Sequence, residues 1–180
     1  MDAYFTINAL ITSEAVRTWM QVITNVIREK NPSGLYFLIS TSGGFVNDAK
    51  AFFSFLRALP IKKVMHNMGN IESVGNIIFV AADERYANPA AHFLLHGLTW
   101  NFNAAAQVSH TQIQEINSAL FQGEEDIAQI LVTQTKLTKE EIFSLYKQGE
   151  SKGLGYAIEK GLINEIREAR IPPGAFHLVL

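Results

Sequence analysis

The 180-residue sequence contains no cysteine, which excludes disulfides, thiolate metal sites and a cysteine nucleophile together. Charge is scarce as well. Only 18% of residues are charged, the formal net charge is −2 and the pI is near 6.2, so there is no electrostatic reason to expect nucleic acid or an anionic membrane surface as a partner. No apolar run is long enough to span a bilayer, and the amino terminus lacks a basic stretch followed by an apolar one. These absences make a soluble, cytoplasmic protein the expectation, with no membrane and no nucleic acid among its partners. Apolar residues are plentiful at 48%, enough for one domain over residues 1–180 to bury a substantial core. No internal repeat or low-complexity tract breaks the chain.

The periodicity alternates. Residues 4–9 read as a short strand, and Thr12 or Ser13 caps a helix with Val16, Trp19, Met20, Ile23 and Ile27 at helical spacing. Residues 35–39 are continuously apolar, the mark of a strand buried on both faces of a parallel sheet. A strand, a helix and a buried strand in that order make a right-handed crossover unit. A second helix, with Val46, Ala49, Phe52, Phe53 and Leu56 inward, stops at Pro60. Residues 64–68 form the next buried strand and residues 77–82 the next apolar helical run. Residues 85–87 read as a short strand and residues 92–96 as a clearer one.

Further on, a long helix is expected over residues 104–135, with Gly123 as a weak point or kink. Thr138 and Glu141 form a capping box for a short helix. Residues 153–160 give another helical turn or two, and residues 161–163 a small strand. The tail, residues 171–180, is apolar, has no obvious fold of its own and is a candidate for packing on a neighbouring subunit.

Two glycine-bearing turns fall at the same, carboxyl-terminal edge of this sheet, where open α/β sheets bind ligands. One is Ser40-Thr41-Ser42-Gly43-Gly44. The other is the stretch from Gly69 to Gly75, which carries Ser73 between an apolar strand and an apolar helix. A serine there can stand clear of the sheet as a nucleophile beside backbone donors, and it can equally serve as a plain helix cap. Because Ile71 takes the place of the first glycine of G-x-S-x-G, an α/β-hydrolase elbow is disfavoured. The Gly43-Gly44 turn offers free N–H groups for half of an oxyanion hole, and the Val74 N–H offers the other half.

His96, at the end of its strand and just before Gly97, is the candidate base, with His92 second. His66, His110 and His177 have no comparable placement. The His92/His96 spacing would suit a zinc pair only on a helix, and the flanking residues argue for a strand, so neither metal nor cofactor is expected.

Taken in order, Ser42-Gly43-Gly44, then Gly69-x-x-x-Ser73-x-Gly75, then a strand ending in His96, resemble the Clp protease proteolytic subunit (ClpP) family. A late Ala157-Ile158-Glu159-Lys160-Gly161-Leu162-Ile163-Asn164 segment extends the likeness over about residues 4–166. The resemblance implies an α/β fold of the ClpP/crotonase type, a ββα-superhelix with residues 104–135 as a handle helix. It implies Ser73 as nucleophile, His96 as general base, and Gly44 and Val74 as oxyanion-hole donors, with no cofactor. Gly43 and Gly97 are the candidate substrate-binding positions. The substrate implied is a peptide or unfolded polypeptide, and the assembly a homo-oligomer of heptameric rings stacked in pairs.

Three departures accompany the likeness. The family's proline before the two glycines is Ser42 here. The chain begins near its first core strand, without the family's extended N-terminal segment, so an ATP-dependent unfoldase partner is not implied. The position matching the triad aspartate is Gly149, and the neighbouring Glu150 is the candidate third member. A catalytically weak or structural member of the family, and a crotonase-type acyl-CoA enzyme, stay open beside the peptidase reading.

Overall fold

Strands and helices alternate along the chain to build one mainly parallel sheet. The computed structural model describes residues 1–102 and 107–180. In chain order the elements are β1 (Ala3–Asn8), α1 (Ser13–Lys30), β2 (Gly34–Thr41), α2 (Val46–Ala58), β3 (Lys62–Glu72), α3 (Gly75–Phe79), β4 (Glu84–Ala87), β5 (His92–Leu94), α4 (His110–Gln134), α5 (Lys139–Gln148), β6 (Ser151–Lys152), α6 (Leu154–Glu159), β7 (Glu165–Ile166) and β8 (Phe176–Val179).

The main strand order is β6-β5-β3-β2-β1-β8. The central strand β3 is long enough for two successive neighbours on one side: β4 pairs with its first half, from Val64 to Asn67, and β5 with its end, from Asn70 to Glu72. Every pairing is parallel except β5 with β6.

Alternation within the strands sends side chains to two faces. Phe5, Ile7, Phe37, Ile39 and Met65 join the large core, together with Trp19 of α1 and Phe52 of α2, whose rings lie 5.3 Å apart. Tyr4, Tyr36, Leu38, Val64 and Tyr86 form a smaller cluster on the other face. Burial on both faces is why β2 reads as an unbroken apolar run. Helix α1 starts where Thr12 Oγ1 accepts the Ala15 N–H and stops at Asn31, which takes a left-handed conformation and donates its N–H to Ile27.

Several boundaries differ from the sequence expectation. The long helix begins at His110, where Ser109 and Gln112 form a capping box, rather than at residue 104; residues 104–106 lie outside the described residues. It passes Gly123 within one continuous helix. A Cβ there would come within 2.6 Å of Leu98 Cδ1, so the glycine lets the preceding loop lie against the helix. Residues 161–163 are turn rather than strand, and the pairing with β4 begins at Glu165. Residues 92–96 are extended only to Leu94, which leaves His96 beyond the strand.

The apolar tail has a fold within its own chain. Its β8 pairs parallel with β1, and the Leu180 N–H donates to Thr6 O at 2.8 Å. Between β7 and β8 the chain straps over the smaller cluster, with Ala169 and Ala175 packed on it and the Arg167 guanidinium 3.3 Å from the centre of the Tyr86 ring. Among the described residues no helix is long and apolar enough to cross a membrane.

Candidate active site

Ser73 follows the last residue of β3 in a left-handed conformation, φ 53°, which costs a non-glycine residue roughly 1 kcal/mol or more. Three bonds hold it there. Its N–H donates to Leu94 O at 2.8 Å, and its carbonyl accepts from the Asn76 N–H at 3.2 Å and from Asn76 Nδ2 at 2.9 Å. The same Nδ2 donates to Leu94 O at 2.9 Å, so the buried Asn76 amide ties the serine turn to the end of β5. Sequence reasoning missed Asn76; its one signal is an amide within an otherwise apolar run.

The neighbouring turn is pressed against this one. A Cβ on Gly43, whose φ is +95°, would lie 2.7 Å from Ser73 Cβ, and a Cβ on Gly44 would lie 2.1 Å from Ile11 O. Only glycine allows both approaches. The Gly43 N–H donates to Thr41 Oγ1 at 3.1 Å and its carbonyl accepts from the Ile11 N–H at 2.9 Å, so the N–H already has its acceptor while the carbonyl keeps a second lone pair. By contrast, the N–H groups of Gly44 and Val74 have no acceptor among the described residues.

His96 lies past β5, where its Nδ1 is 2.7 Å from Gly97 O. A carbonyl can only accept, so in the neutral ring Nδ1 carries the proton and Nε2 keeps its lone pair. The loop is fastened on both sides: the Gly97 N–H donates to Tyr146 O at 3.3 Å and the Leu98 N–H to Glu124 Oε1 at 2.9 Å. The Gly97 N–H thus has its acceptor, and the Gly97 carbonyl orients His96.

Ser73 and His96 share the wall of a cavity of about 620 Å³, which Gly44, Phe45, Leu98 and Gly123 also line, with no hydrogen bond between the two. Lys50 and Asp126 form an ion pair on the same wall, joining α2 to α4. Ser73 and His96 also line a second, small void of about 10 Å³, together with Val74, Leu95, Leu98, Ile127, Leu131 and Tyr146. The Tyr146 hydroxyl is buried and has no hydrogen-bond partner among the described residues. Burial, with Glu124 and Glu125 nearby, pushes the phenol's pKa well up, so it stays a neutral donor. Sequence reasoning missed Tyr146 as well, because it sits beside Ile142 and Leu145 in an ordinary core stripe.

The antiparallel pairing of β5 with β6 sets Phe93 opposite Lys152 and Leu94 opposite Ser151. The pairing ends there, so His96 lies beyond β5 and Gly149, the left-handed C-cap of α5, lies before β6. Glu150 does not join His96: its side chain is 67% exposed and bonded to Lys152 Nζ at 3.1 Å. The ring nitrogen it was expected to orient is engaged by the Gly97 carbonyl. His92 stands apart, partly exposed and 3.7 Å from Glu72. Among the described residues no group of three or more metal-ligating side chains is placed to hold an ion.

Comparison with known proteins gives consistent results. A family model described as Clp protease matches residues 3–170. The chain is 26% identical over 144 residues to the ATP-dependent Clp protease proteolytic subunit 2 of Pseudomonas aeruginosa, covering 77% of this chain and 70% of that one. Its fold superposes on a point mutant of ClpP1 from Listeria monocytogenes with a TM-score of 0.76 at 17% identity, over 94% of this chain and 92% of the other. The mixed α/β, ClpP-like architecture is thus established.

Proposed function

Since the chain belongs to the Clp protease family, we propose that it is a serine peptidase that works with a Ser73–His96 dyad. Ser73 Oγ attacks the scissile carbonyl, His96 Nε2 takes the hydroxyl proton and returns it to the leaving amine, and the Gly44 and Val74 N–H groups receive the oxyanion. The observation that carries this reading is the 2.7 Å bond from His96 Nδ1 to Gly97 O. It does one of the two tasks of a triad aspartate, fixing the tautomer, without the other, stabilising the imidazolium with a full negative charge. Activity is therefore expected, at a rate below that of an enzyme with a complete triad.

The substrate is a peptide or unfolded polypeptide lying extended in the larger cavity. Assembly into heptameric rings, stacked in pairs through α4, accounts for that helix's exposed apolar side chains, Ile113 and Phe121 among them. Docking of an ATP-dependent unfoldase is not part of the proposal.

Gly149, at the position where the family resemblance implies the triad aspartate, favours a second reading, in which the chain keeps the fold and assembly but acts as a weakly active or structural subunit. Hydrolysis of fluorogenic peptides by wild type and Ser73→Ala, with mass photometry of both, separates the two. The peptidase reading expects ring-sized particles from both proteins and turnover from wild type alone. Rings without any turnover from wild type leave the structural subunit, and monomers alone defeat the assembly.

A further inference from the structure

Resting on the peptidase reading, we infer that Tyr146 is a specificity-determining residue. It restricts the substrate residue whose carbonyl Ser73 attacks to a small side chain, and favours one that carries an oxygen. The small void that Ser73 and His96 line measures about 10 Å³, room for about one water-sized probe. A hydrogen or a methyl fits with little adjustment, a hydroxymethyl with slightly more, and a leucine or phenylalanine side chain does not.

The wall of this void is largely apolar, formed by Val74, Leu95, Leu98, Ile127 and Leu131, and Tyr146, whose buried hydroxyl has no partner among the described residues, completes the lining. A buried donor left unpaired is destabilising until something supplies an acceptor. A serine side chain entering the void brings such an acceptor, whereas alanine fills the space and leaves the phenol unpaired. Sites built around such a polar group discriminate strongly against ligands that lack its complement. The position of Tyr146 is fixed from two sides: its own carbonyl accepts the Gly97 N–H, and its ring packs edge-on against Phe143 at 5.6 Å.

The test uses peptidyl diphenyl phosphonates whose reacting residue carries the side chain of serine, alanine or leucine. A small alkyl fluorophosphonate serves as the control for a live nucleophile. Labelling rates are compared in wild type, Tyr146→Phe and Tyr146→Ala. Wild type is expected to react roughly 10-fold faster with the serine probe than with the alanine one, and on the order of 100-fold faster than with the leucine one. Tyr146→Phe keeps the cavity but loses the hydroxyl, so the serine-over-alanine preference falls to about one while leucine stays slow. Tyr146→Ala opens the void and makes leucine the fastest probe.

If the alkyl probe labels Ser73 but both variants keep the wild-type order, the role of Tyr146 is overturned and the dyad stands. If the alkyl probe labels nothing, both fail. Should Tyr146→Ala not fold, the near-isosteric Tyr146→Phe decides alone.

Discussion

Two histidines, one within β3 and one just past β5, show how one sheet holds a structural imidazole and a candidate catalytic one. His66 is wholly buried in the smaller cluster and both its ring nitrogens are satisfied: Nδ1 by the Tyr36 hydroxyl at 2.8 Å, Nε2 by Asn88 Oδ1 at 2.9 Å and Arg167 O at 3.0 Å. Because Nε2 faces acceptors only, it carries the proton and Tyr36 donates to Nδ1. His96, on the wall of a cavity shared with Ser73, uses one nitrogen to fix its tautomer and has no hydrogen bond at the other among the described residues. Around His66 the bonding is closed. Around His96 several groups are left over, namely the Gly44 and Val74 N–H groups and the Tyr146 hydroxyl. Unspent hydrogen-bonding capacity at one end of the sheet, rather than the presence of a histidine, marks the candidate site.

Substitutions can break this contrast. Replacing His96 with alanine is expected to lower peptide turnover by at least about 10³-fold while leaving the melting temperature nearly unchanged, since no buried group loses its only partner. Kinetics beside a thermal melt check both halves. A large fall in melting temperature with turnover retained would reverse the assignment.

Gly149→Asp comes next. The family resemblance implies this as the position of the triad aspartate, its left-handed backbone is one that aspartate tolerates, and a Cβ there would meet no atom within 4 Å. A carboxylate beside the imidazolium is expected to raise kcat on the order of 100-fold, while Gly149→Asn, alike in shape but uncharged, gives little. Equal effects of the two would remove the electrostatic account of the missing acid.

His66→Ala is expected to behave in the opposite way to His96→Ala. It opens a cavity and strips the Tyr36 hydroxyl of its acceptor, a loss of roughly 2–4 kcal/mol. The melting temperature should fall by about 5–15 °C, with turnover of the folded protein near that of wild type.

The smallest effect is on pH dependence. Burial holds the His66 pKa below the usual imidazole value, against hydrogen bonds to Asn88 and Arg167 O that raise it, and the Arg167 charge lowers it further. The folded state thus binds the proton less readily than the unfolded chain. This stabilisation is complete above about pH 6.5 and is lost as the pH falls from there through the lower folded value. Melting curves between pH 7.5 and 5 should show a steeper acid decline for wild type than for His66→Asn.

Much of this was legible in the sequence, for local reasons. The apolar runs of β2 and β3, the Thr12 and Thr138 caps and the two glycine-bearing turns all express short-range rules, and they brought Ser73, Gly43 and Gly44 to one edge. What escaped depends on long-range pairing or on atoms without a residue identity. The tail, with its Pro172-Pro173, gives no strand pattern by itself; β8 exists because β1, some 170 residues earlier, has an edge to fill. Among carboxylates, the sequence points to Glu150 as the acid that orients His96, whereas the partner is a main-chain carbonyl that any residue could supply. Asn76 and Tyr146 were passed over because helical periodicity assigns them to the core, where they do lie, without revealing which buried polar atoms are paired.

The central claim is that Ser73 is a live nucleophile despite the missing acid. Treating the assembled protein with a fluorophosphonate and mapping the adduct by mass spectrometry tests it most directly. A single adduct on Ser73, slow to form and absent from Ser73→Ala, is the predicted result. No adduct under conditions that label a working ClpP, or an adduct on another serine that survives the substitution, would contradict it.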